Sequence, residues 1–376
     1  MDEREEDDAP EVLEENLSRF PCGHCGAQLA FEPGTTHLEC SWCGHENQIE
    51  RGDEVVCELD FRRTLEDLAA QQPTDEHEVV RCHACAAQIE TPGEKTAFDC
   101  PWCGAIIVSQ SKTMRLVRPQ SILPFKVTRD DAMTAYGAWL GKRWFAPNDL
   151  ANHARSESRL RGVYLPYWTF DAETTSRYTG ERGEYYYVTV SYQTTGADGK
   201  PTTRTRQERR TRWYPASGVV RDAFDDILIL ASHSINPKRV TELTPWDLAE
   251  LVPYRDDYLA GFESEAYSVD LAAAFEAARP TIDAGVRRTV CRDIAGDEQR
   301  IHDLNIRFDE ITFKHLLLPI WVSAFRYRGK VFQFLVNGRT GEVQGERPFS
   351  RTKITLAVLA GLVVIGLLIW FFKTRR

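Results

Sequence analysis

RFPCGHCGAQLAFEPGTTHLECSWCG, residues Arg19 to Gly44, holds two Cys-x-x-Cys pairs separated by fourteen residues. Each pair forms a tight knuckle whose sulfurs face one point, and two facing knuckles supply the tetrahedral four-sulfur shell that zinc prefers. Four thiolates fill that shell and leave no position for water or substrate, so a metal here is structural and not catalytic. The square also repeats. Cys22, Cys25, Cys40 and Cys43 return as Cys82, Cys85, Cys100 and Cys103, each displaced by sixty residues, and Gln28, Leu29, Leu38, Trp42 and Gly44 return as Gln88, Ile89, Phe98, Trp102 and Gly104. The chain therefore carries a tandem module, with two structural Zn²⁺ as the expected cofactors. Glycine after Cys25, Cys43 and Cys103 suits a knuckle that requires φ > 0, and Ala86 departs from the pattern. A module of roughly thirty residues cannot sustain a core alone, and metal binding adds on the order of 10 kcal/mol or more to its folding. Redox dithiols are the rival reading, disfavoured by the fourfold pattern and its repetition.

Outward from the squares, 376 residues exceed the usual size of one domain. The net charge of -10 is concentrated: Met1 to Glu15 holds nine carboxylates against Arg4, which leaves about -2 for the rest. That block is read as a disordered acidic tail, because it cannot bury enough apolar surface to fold. No basic start or apolar stretch marks a signal peptide, so the body is expected to stay inside the cell. ITLAVLAGLVVIGLLIWFF, Ile354 to Phe372, is nineteen residues without a charge. As a helix it measures about 28 Å, close to the hydrocarbon thickness of a bilayer. Arg351 and Lys353 precede it, Lys373, Arg375 and Arg376 follow it, and Trp370 stands at an interfacial position. Basic residues at both ends leave the orientation open, and the cysteines decide it. Thiolates persist in a reducing cytosol, so the expectation is a single-pass tail anchor in the inner (cytoplasmic) membrane with the body in the cytoplasm.

The body after Gln110 reads as α+β. Asp130 to Arg143 is amphipathic, Thr244-Pro245 predicts the start of a short helix through Leu251, and Ser268 to Ile294 is a long helical pattern that Pro280 should kink or split. Between the squares, Val55 to Leu59 reads as a strand and Asp60 as the cap of a short helix through Ala70. Glu184 to Thr195 and Thr202 to Trp213 flank GADGK as a long β-hairpin, and Trp321 to Val343 predicts strand, Arg-Gly turn, strand, glycine turn and short strand. Both sheet regions open alike, as Leu165-Pro166-Tyr167-Trp168 and Leu318-Pro319-Ile320-Trp321, with proline expected where a strand begins. This hints at a duplicated β unit around 165 and 318.

Charge limits what the squares can bind. Phe20 to Glu50 holds Glu32, Glu39, Glu46 and Glu50 and neither lysine nor arginine, and in the second copy Arg81 and Lys95 add little. A nucleic-acid module needs a basic face, so phosphate contact through the first ribbon is disfavoured. Trp42 and Trp102 are expected to pack over the knuckles. The basic stretch lies in TRTRQERRTRW, where Arg204, Arg206, Arg210 and Arg212 share one strand face with Glu208. It is a candidate site for phosphates of nucleic acid or anionic lipid, and the bland alternative is a solvated arm paired to Glu181 or Glu184. No enzyme constellation is found: GADGKP lacks the hydroxyl of a phosphate-binding loop, and neither H-E-x-x-H nor G-x-S-x-G occurs. His315 is expected to be a hydrogen-bonded core histidine, and Cys57 and Cys291 buried inert thiols. Asp222, Asp225 and Asp226 look like a turn or cap, with cation binding as the alternative. Ala357 and Gly361 have the small-xxx-small spacing of helix dimerisation, which points to a homo-oligomer.

Taken together, C-G-x-C-G-x-x-L with L-x-C-x-W-C-G, then LPYWTFD, YTGERGEYYYV, TRWYPASG, ITFKHLLLP and VNGRTGEVQGERP, resemble a family of bacterial membrane-anchored tandem zinc-ribbon proteins. Its members are often labelled TFIIB-type zinc ribbon-containing protein or primosomal protein N' (replication factor Y), superfamily II helicase. The resemblance runs from Phe20 to Pro348. The helicase label follows a similar short cysteine segment, and this chain lacks the phosphate-binding loop and the room for two motor domains. The resemblance further implies work beside SPFH-domain and phage-shock-type membrane-stress proteins.

The expected division is an acidic tail at 1–18, a zinc ribbon at 19–50, a structured linker at 51–78, a second ribbon at 79–110, an α+β body at 111–350 and a transmembrane anchor at 351–376. The expected function is a non-enzymatic adaptor or scaffold that docks proteins through its ribbons. The alternative is a membrane-tethered nucleic-acid binder.

Overall fold

The computed structural model describes residues 20–49, 56–69, 75–85, 87–90, 97–108, 112–147, 150, 160–195, 201–327 and 330–374. The acidic tail, the GADGK turn, Ala86, the Arg-Gly turn at 328–329, and Arg375 and Arg376 lie outside the described residues. Strands β1 (Leu29–Phe31), β2 (His37–Cys40) and β3 (Glu46–Gln48) form a small antiparallel sheet around the first cysteine square. Next come β4 (Leu59–Asp60) and α1 (Phe61–Ala69), where the Asp60 carboxylate accepts the Arg63 N–H at 2.7 Å and caps the helix as expected. Of the expected strand at Val55–Leu59, Val55 lies outside the described residues, and among the rest only Leu59 joins a strand, Leu59–Asp60, paired with Phe313 and Thr312. Cys57 precedes that pairing and is exposed, contrary to the expectation of a buried thiol, and Cys291 is half-buried.

Strands β5 (Asp75–Arg81), β6 (Gln88–Glu90), β7 (Ala97–Asp99), β8 (Ile106–Val108) and β9 (Lys112–Leu116) surround the second square. After them β10 (Ser121–Ile122) leads to α2 (Arg129–Gly141), capped by Thr128, and then to two very long strands, β11 (Arg161–Thr195) and β12 (Pro201–Leu230). The remainder is α3 (Pro237–Thr241), β13 (Val252–Pro253), β14 (Glu263–Glu265), α4 (Leu271–Ile294), β15 (Glu298–Tyr327), β16 (Lys330–Asn337), β17 (Val343–Gly345) and α5 (Arg351–Thr374). The helix expected from Thr244-Pro245 is only a 3-10 turn at Leu248–Glu250, since none of its three residues is buried to hold a longer one. Large sheets, five α-helices among the described residues and two tetracysteine clusters make the chain α+β.

The twelve-stranded sheet is organised by one antiparallel crossing. Leu165 pairs with Leu318, flanked by Tyr164 opposite Pro319 and Pro166 opposite Leu317. The two Leu-Pro segments therefore face each other deep inside β11 and β15, and neither marks the start of a strand as expected. The same order of elements leads to each: β10, α2, β11, β12 and then β14, α4, β15, β16. Crosswise parallel pairing joins them, with β10 on Leu316 and Leu317 and β14 on Val163 and Tyr164.

Burial explains why these segments read as unbroken apolar runs. Tyr164, Leu317 and Trp321 share a core with the first ribbon's Cys22, Leu29, Phe31, Leu38 and Cys40 and with α2. Val163, Leu165, Leu318 and Ile320 point the other way, into a core with the second ribbon's Cys82, Cys100, Trp102 and Ile107. A strand pair covered on both faces has no solvent face, so alternation disappears. Further out only one face is covered, by α4, and alternation returns: Ala172, Thr174, Ser176 and Tyr178 are buried, whereas Glu173, Arg177 and Thr179 are exposed.

Helix α4 continues through Pro280, so the expected split does not occur. An interior proline costs about 3 kcal/mol. Leu271, Ala274, Phe275 and Ala278 before it, and Ile282, Val286, Val290 and Ile294 after it, are all buried on one stripe that offsets this cost. Two glycines mark close approaches. A Cβ at Gly285 would lie 2.3 Å from the Phe224 ring, and one at Gly180 would lie 2.2 Å from the backbone carbonyl of Arg300. The second cannot be relieved by a rotamer change, because Gly180 sits at a register shift of the β11–β15 ladder. Gly180→Ala is therefore expected to lower stability by roughly 1–3 kcal/mol. Gly141→Ala, where a Cβ meets nothing within 4 Å, should leave it unchanged or slightly raised in the same denaturant titration.

Candidate metal centres

Each square is built by two copies of one backbone knuckle. In the first ribbon Cys22 N–H donates to Ala27 O at 2.8 Å and Gly26 N–H to Cys22 O at 2.9 Å; Cys40 N–H and Gly44 N–H do the same at 3.0 and 2.8 Å. The second ribbon repeats this at Cys100 and Gly104, with 2.8 and 2.9 Å. Gly26, Gly44 and Gly104 have φ of 75°, 68° and 70°, as the glycine pattern requires.

The knuckles bring the predicted ligands together. Cys22 and Cys43 sulfurs are 3.8 Å apart and Cys25 and Cys40 sulfurs 3.5 Å; in the second square Cys82–Cys103 and Cys85–Cys100 are both 3.6 Å. All four sulfurs of each set lie within 4.8 Å of one another, so both sets could hold a metal ion. Their thiols titrate unequally. Burial opposes ionisation of Cys22, but N–H donors of Cys25 and His24 and the Cys43 thiol bring it to about 6. The Cys100 thiol, acting first, brings Cys85 to about 5. Cys43, despite the His45 N–H, is pushed up to about 12, and burial first pushes Cys103 up to about 11. The Cys43 N–H, against burial, lowers Cys40 as well, so part of each square ionises readily, and a cation must displace the protons that remain.

The surroundings of the two squares differ. Trp102 is buried beside its knuckle as expected, whereas Trp42 is 84% exposed. The difference follows from packing: the Trp102 carbonyl accepts from Gln333 Nε2 at 3.0 Å, against the central sheet. In the first ribbon the buried face is the opposite one, where Phe31 packs edge-on against Tyr258 and its N–H donates to Ala260 O at 2.9 Å. Trp42 is left in solvent.

Beside the second square, on β14, lies a carboxyl that sequence reading missed. Glu265 is buried and accepts hydrogen bonds from Ser232 Oγ at 2.7 Å and from Ser234 Oγ. Burial outweighs these donors and pushes it up to about 8. No motif announces such a group, because it follows only from β14 being covered by β6 on one side and β11 on the other.

Asp171, Asp225 and Asp226 also converge within 4.8 Å and could hold a cation. A cation is already present: the Lys314 ammonium lies 2.9 Å from Asp226, 3.1 Å from Glu58 and 3.8 Å from Asp171. Burial first, and then Glu58, raise Asp171 to about 7. Asp226 has φ of 51° at the bulge opposite Phe170 and Ala172, and Asp222 instead accepts from the Thr289 hydroxyl at 2.5 Å, so these residues are neither a simple turn nor a cap. His315 is buried as expected, its Nδ1 2.7 Å from Val117 O and its ring against Trp168.

The arginine stripe lies on a two-stranded arm. The β15 partner ends opposite Gly183, and beyond it β11 and β12 continue alone. Twelve residues at ~3.3 Å give an arm of about 40 Å. Arg204, Arg206, Arg210 and Arg212 stand opposite Tyr192, Val190, Tyr186 and Glu184 and so share one face. Arg206 Nε bonds Glu208 at 3.0 Å, Arg210 lies 3.9 Å from it, and Arg212 covers the Tyr186 ring at 5.0 Å. Of the expected partners, Glu184 stands opposite Arg212 and also binds Arg182 at 2.9 Å, whereas Glu181 lies 3.8 Å from Arg300 and 3.5 Å from His302.

These features define an α+β protein with two tetracysteine centres and one C-terminal helix, α5, long and apolar enough to cross a membrane. Over 345 residues, 89% of this chain, it is 25% identical to the uncharacterized protein YdjG of Bacillus subtilis (strain 168), of which the match covers 91%. No family model matches the chain, and no solved structure matches it.

Glu265 yields a pH prediction. Its folded value lies above the unfolded value of about 4.5, so the native state keeps the extra proton and stability falls as pH rises from there towards about 8. Glu265→Gln should therefore gain roughly 2 kcal/mol relative to wild type between pH 6 and pH 8.5 in urea unfolding. A pH-independent difference would contradict this assignment.

Proposed function

We propose that this chain is a membrane-anchored cytoplasmic adaptor, in which two structural Zn²⁺ ions hold the ribbons and the first ribbon presents a protein-docking surface. The observation that carries the reading is the pair of closed four-cysteine shells. Tetrahedral zinc with Zn–S bonds of about 2.3 Å sets its sulfurs about 3.8 Å apart. The cross-knuckle distances of 3.5 to 3.8 Å fit that ion. Zinc would draw the four thiolates of each square into a fixed tetrahedron, and the chain's own residues do the rest. Cys22, Cys40, Cys82 and Cys100 sit within the cores, while Trp42 and the His24 and His45 rings, 5.5 Å apart and tilted by 31°, are left for contact. An exposed tryptophan on a rigid support is a common protein-binding anchor.

A cytoplasmic orientation is supported by thiolate chemistry, which needs a reducing compartment. Helix α5 supplies the membrane attachment in this reading. The resemblance to membrane-anchored ribbon proteins suggests SPFH-domain or phage-shock-type proteins as partners.

The second reading, a membrane-tethered nucleic-acid binder, is favoured by the arm, where arginines and tyrosines share a face. Glu208 weakens it by neutralising the centre of the stripe.

Metal analysis of the full chain is expected to give two zinc ions per chain and one after Cys40→Ser. A photo-crosslinking residue in place of Trp42 should trap a protein in native membranes, and Cys40→Ser should abolish the adduct. If no adduct forms, the docking surface is wrong. If the second reading holds instead, the purified chain will shift DNA or RNA with a steep salt dependence that weakens further in Arg206→Ala with Arg210→Ala.

A further inference from the structure

Helix α5 leaves the body beside the segment that follows α2. Ser350 N–H donates to Phe145 O at 2.7 Å, and Lys353 Nζ donates to Ala146 O at 2.8 Å. Against this joint lies an open groove of about 400 Å³ lined by Phe145, Phe349, Ile354, Ala357 and Val358. Its lining side chains are all apolar, and three of the five belong to the helix itself.

Two arginines stand two residues from the groove's lining, Arg143 before Phe145 and Arg347 before Phe349, on segments joined by the Ser350–Phe145 hydrogen bond. The Arg347 guanidinium lies over the Phe349 ring at 5.2 Å, and that of Arg143 over Trp139 at 4.7 Å. Neither has a carboxylate partner among the described residues, and Arg143 Nε is buried without a hydrogen-bond acceptor. Burial first, and then the neighbouring Arg143 charge, lower Arg347 below the usual guanidinium range. Two like charges are thus held together, partly desolvated and with a donor unused. That arrangement is costly unless an anion completes it. Trp144 and Phe349 are 71% and 59% exposed at the same level, where a bilayer's headgroup region favours aromatic rings.

We propose that this joint is a lipid site: the groove takes an acyl chain, and Arg143 with Arg347 takes the headgroup phosphate of an anionic glycerophospholipid. The site rests on the reading that α5 crosses a bilayer. Phosphate at that depth meets guanidinium as a charge-assisted, bidentate acceptor. Two positive charges for one phosphate favour a lipid of net negative charge over a zwitterion. The bound lipid would fill the gap between anchor and body and hold the body at a fixed tilt to the membrane.

The test uses the full chain reconstituted in mixed phosphatidylcholine and phosphatidylglycerol vesicles, extracted in mild detergent, with retained lipid counted by native mass spectrometry. Wild type should retain phosphatidylglycerol about tenfold or more over its share in the vesicle. Arg143→Gln with Arg347→Gln should abolish the enrichment. Ala357→Trp, which fills the groove and keeps both arginines, should abolish it too, with metal content and circular dichroism unchanged in both variants. Enrichment absent in wild type, or intact in both variants, would overturn the site. Displacement of the lipid by inorganic phosphate would assign a free anion instead and overturn it as well, as would a lipid-free dimer sealed through Ala357. Failure of the chain to enter vesicles would overturn the membrane reading together with the site, whereas entry without selectivity overturns the site alone.

Discussion

The antiparallel crossing of β11 and β15 at Leu165 and Leu318 is the contact on which the rest of the structure depends. Its side chains alternate between two faces, and each face is covered by a different cysteine module: the first ribbon with α2 on one side, the second with α3 on the other. Neither ribbon is large enough to bury a core alone. Each completes one half of the body's core instead, so the two cysteine squares act as clamps on a common strand pair. A metal in either would stabilise the sheet as well as its own loops.

From this clamp the molecule extends in two directions. Along β11 and β12 the sheet first loses one covering layer, then its third strand, and ends as an arm whose arginines are partly matched by Glu208 and by tyrosine faces. Through β16 and β17 the chain returns to the clamp and enters α5, tied to the α2 side of the body by Ser350 and Lys353. The polar groups closest to the centre are neutralised locally, Lys314 by three carboxylates and Glu265 by its raised proton affinity. Arg143 and Arg347, which have no carboxylate partner among the described residues, lie instead where the body meets α5.

Legibility in the sequence followed how local each cause is. The knuckles, the Asp60 cap, the hairpins and the apolar helix rest on spacings of a few residues, and they read directly. Strand length did not, because the apolar Leu-Pro segments look like short strands until both covering ribbons are in place. Pro280 misled for the same reason: its local penalty is plain, and the buried stripe of α4 that outweighs it is not. Of the site, the convergence of all eight cysteines into two clusters was legible. Trp42 and Trp102 occupy equivalent positions, and only the fold makes one exposed and the other buried. Glu265, Arg143 and Arg347 gave no signal, since their meaning comes from groups that only the fold brings near: Ser232, Ser234 and the strands beside β14 for Glu265, and each other for the two arginines.

If the two cysteine modules clamp one strand pair, removing their metal loosens that pair as well as the modules. Amide hydrogen exchange of the full chain, with metal bound and after chelation, reads this out residue by residue. Metal removal should deprotect Val163 to Trp168 and Leu316 to Val322 along with the ribbons. Deprotection confined to residues 20–49 and 79–108, with the crossing strands still slow, would contradict it.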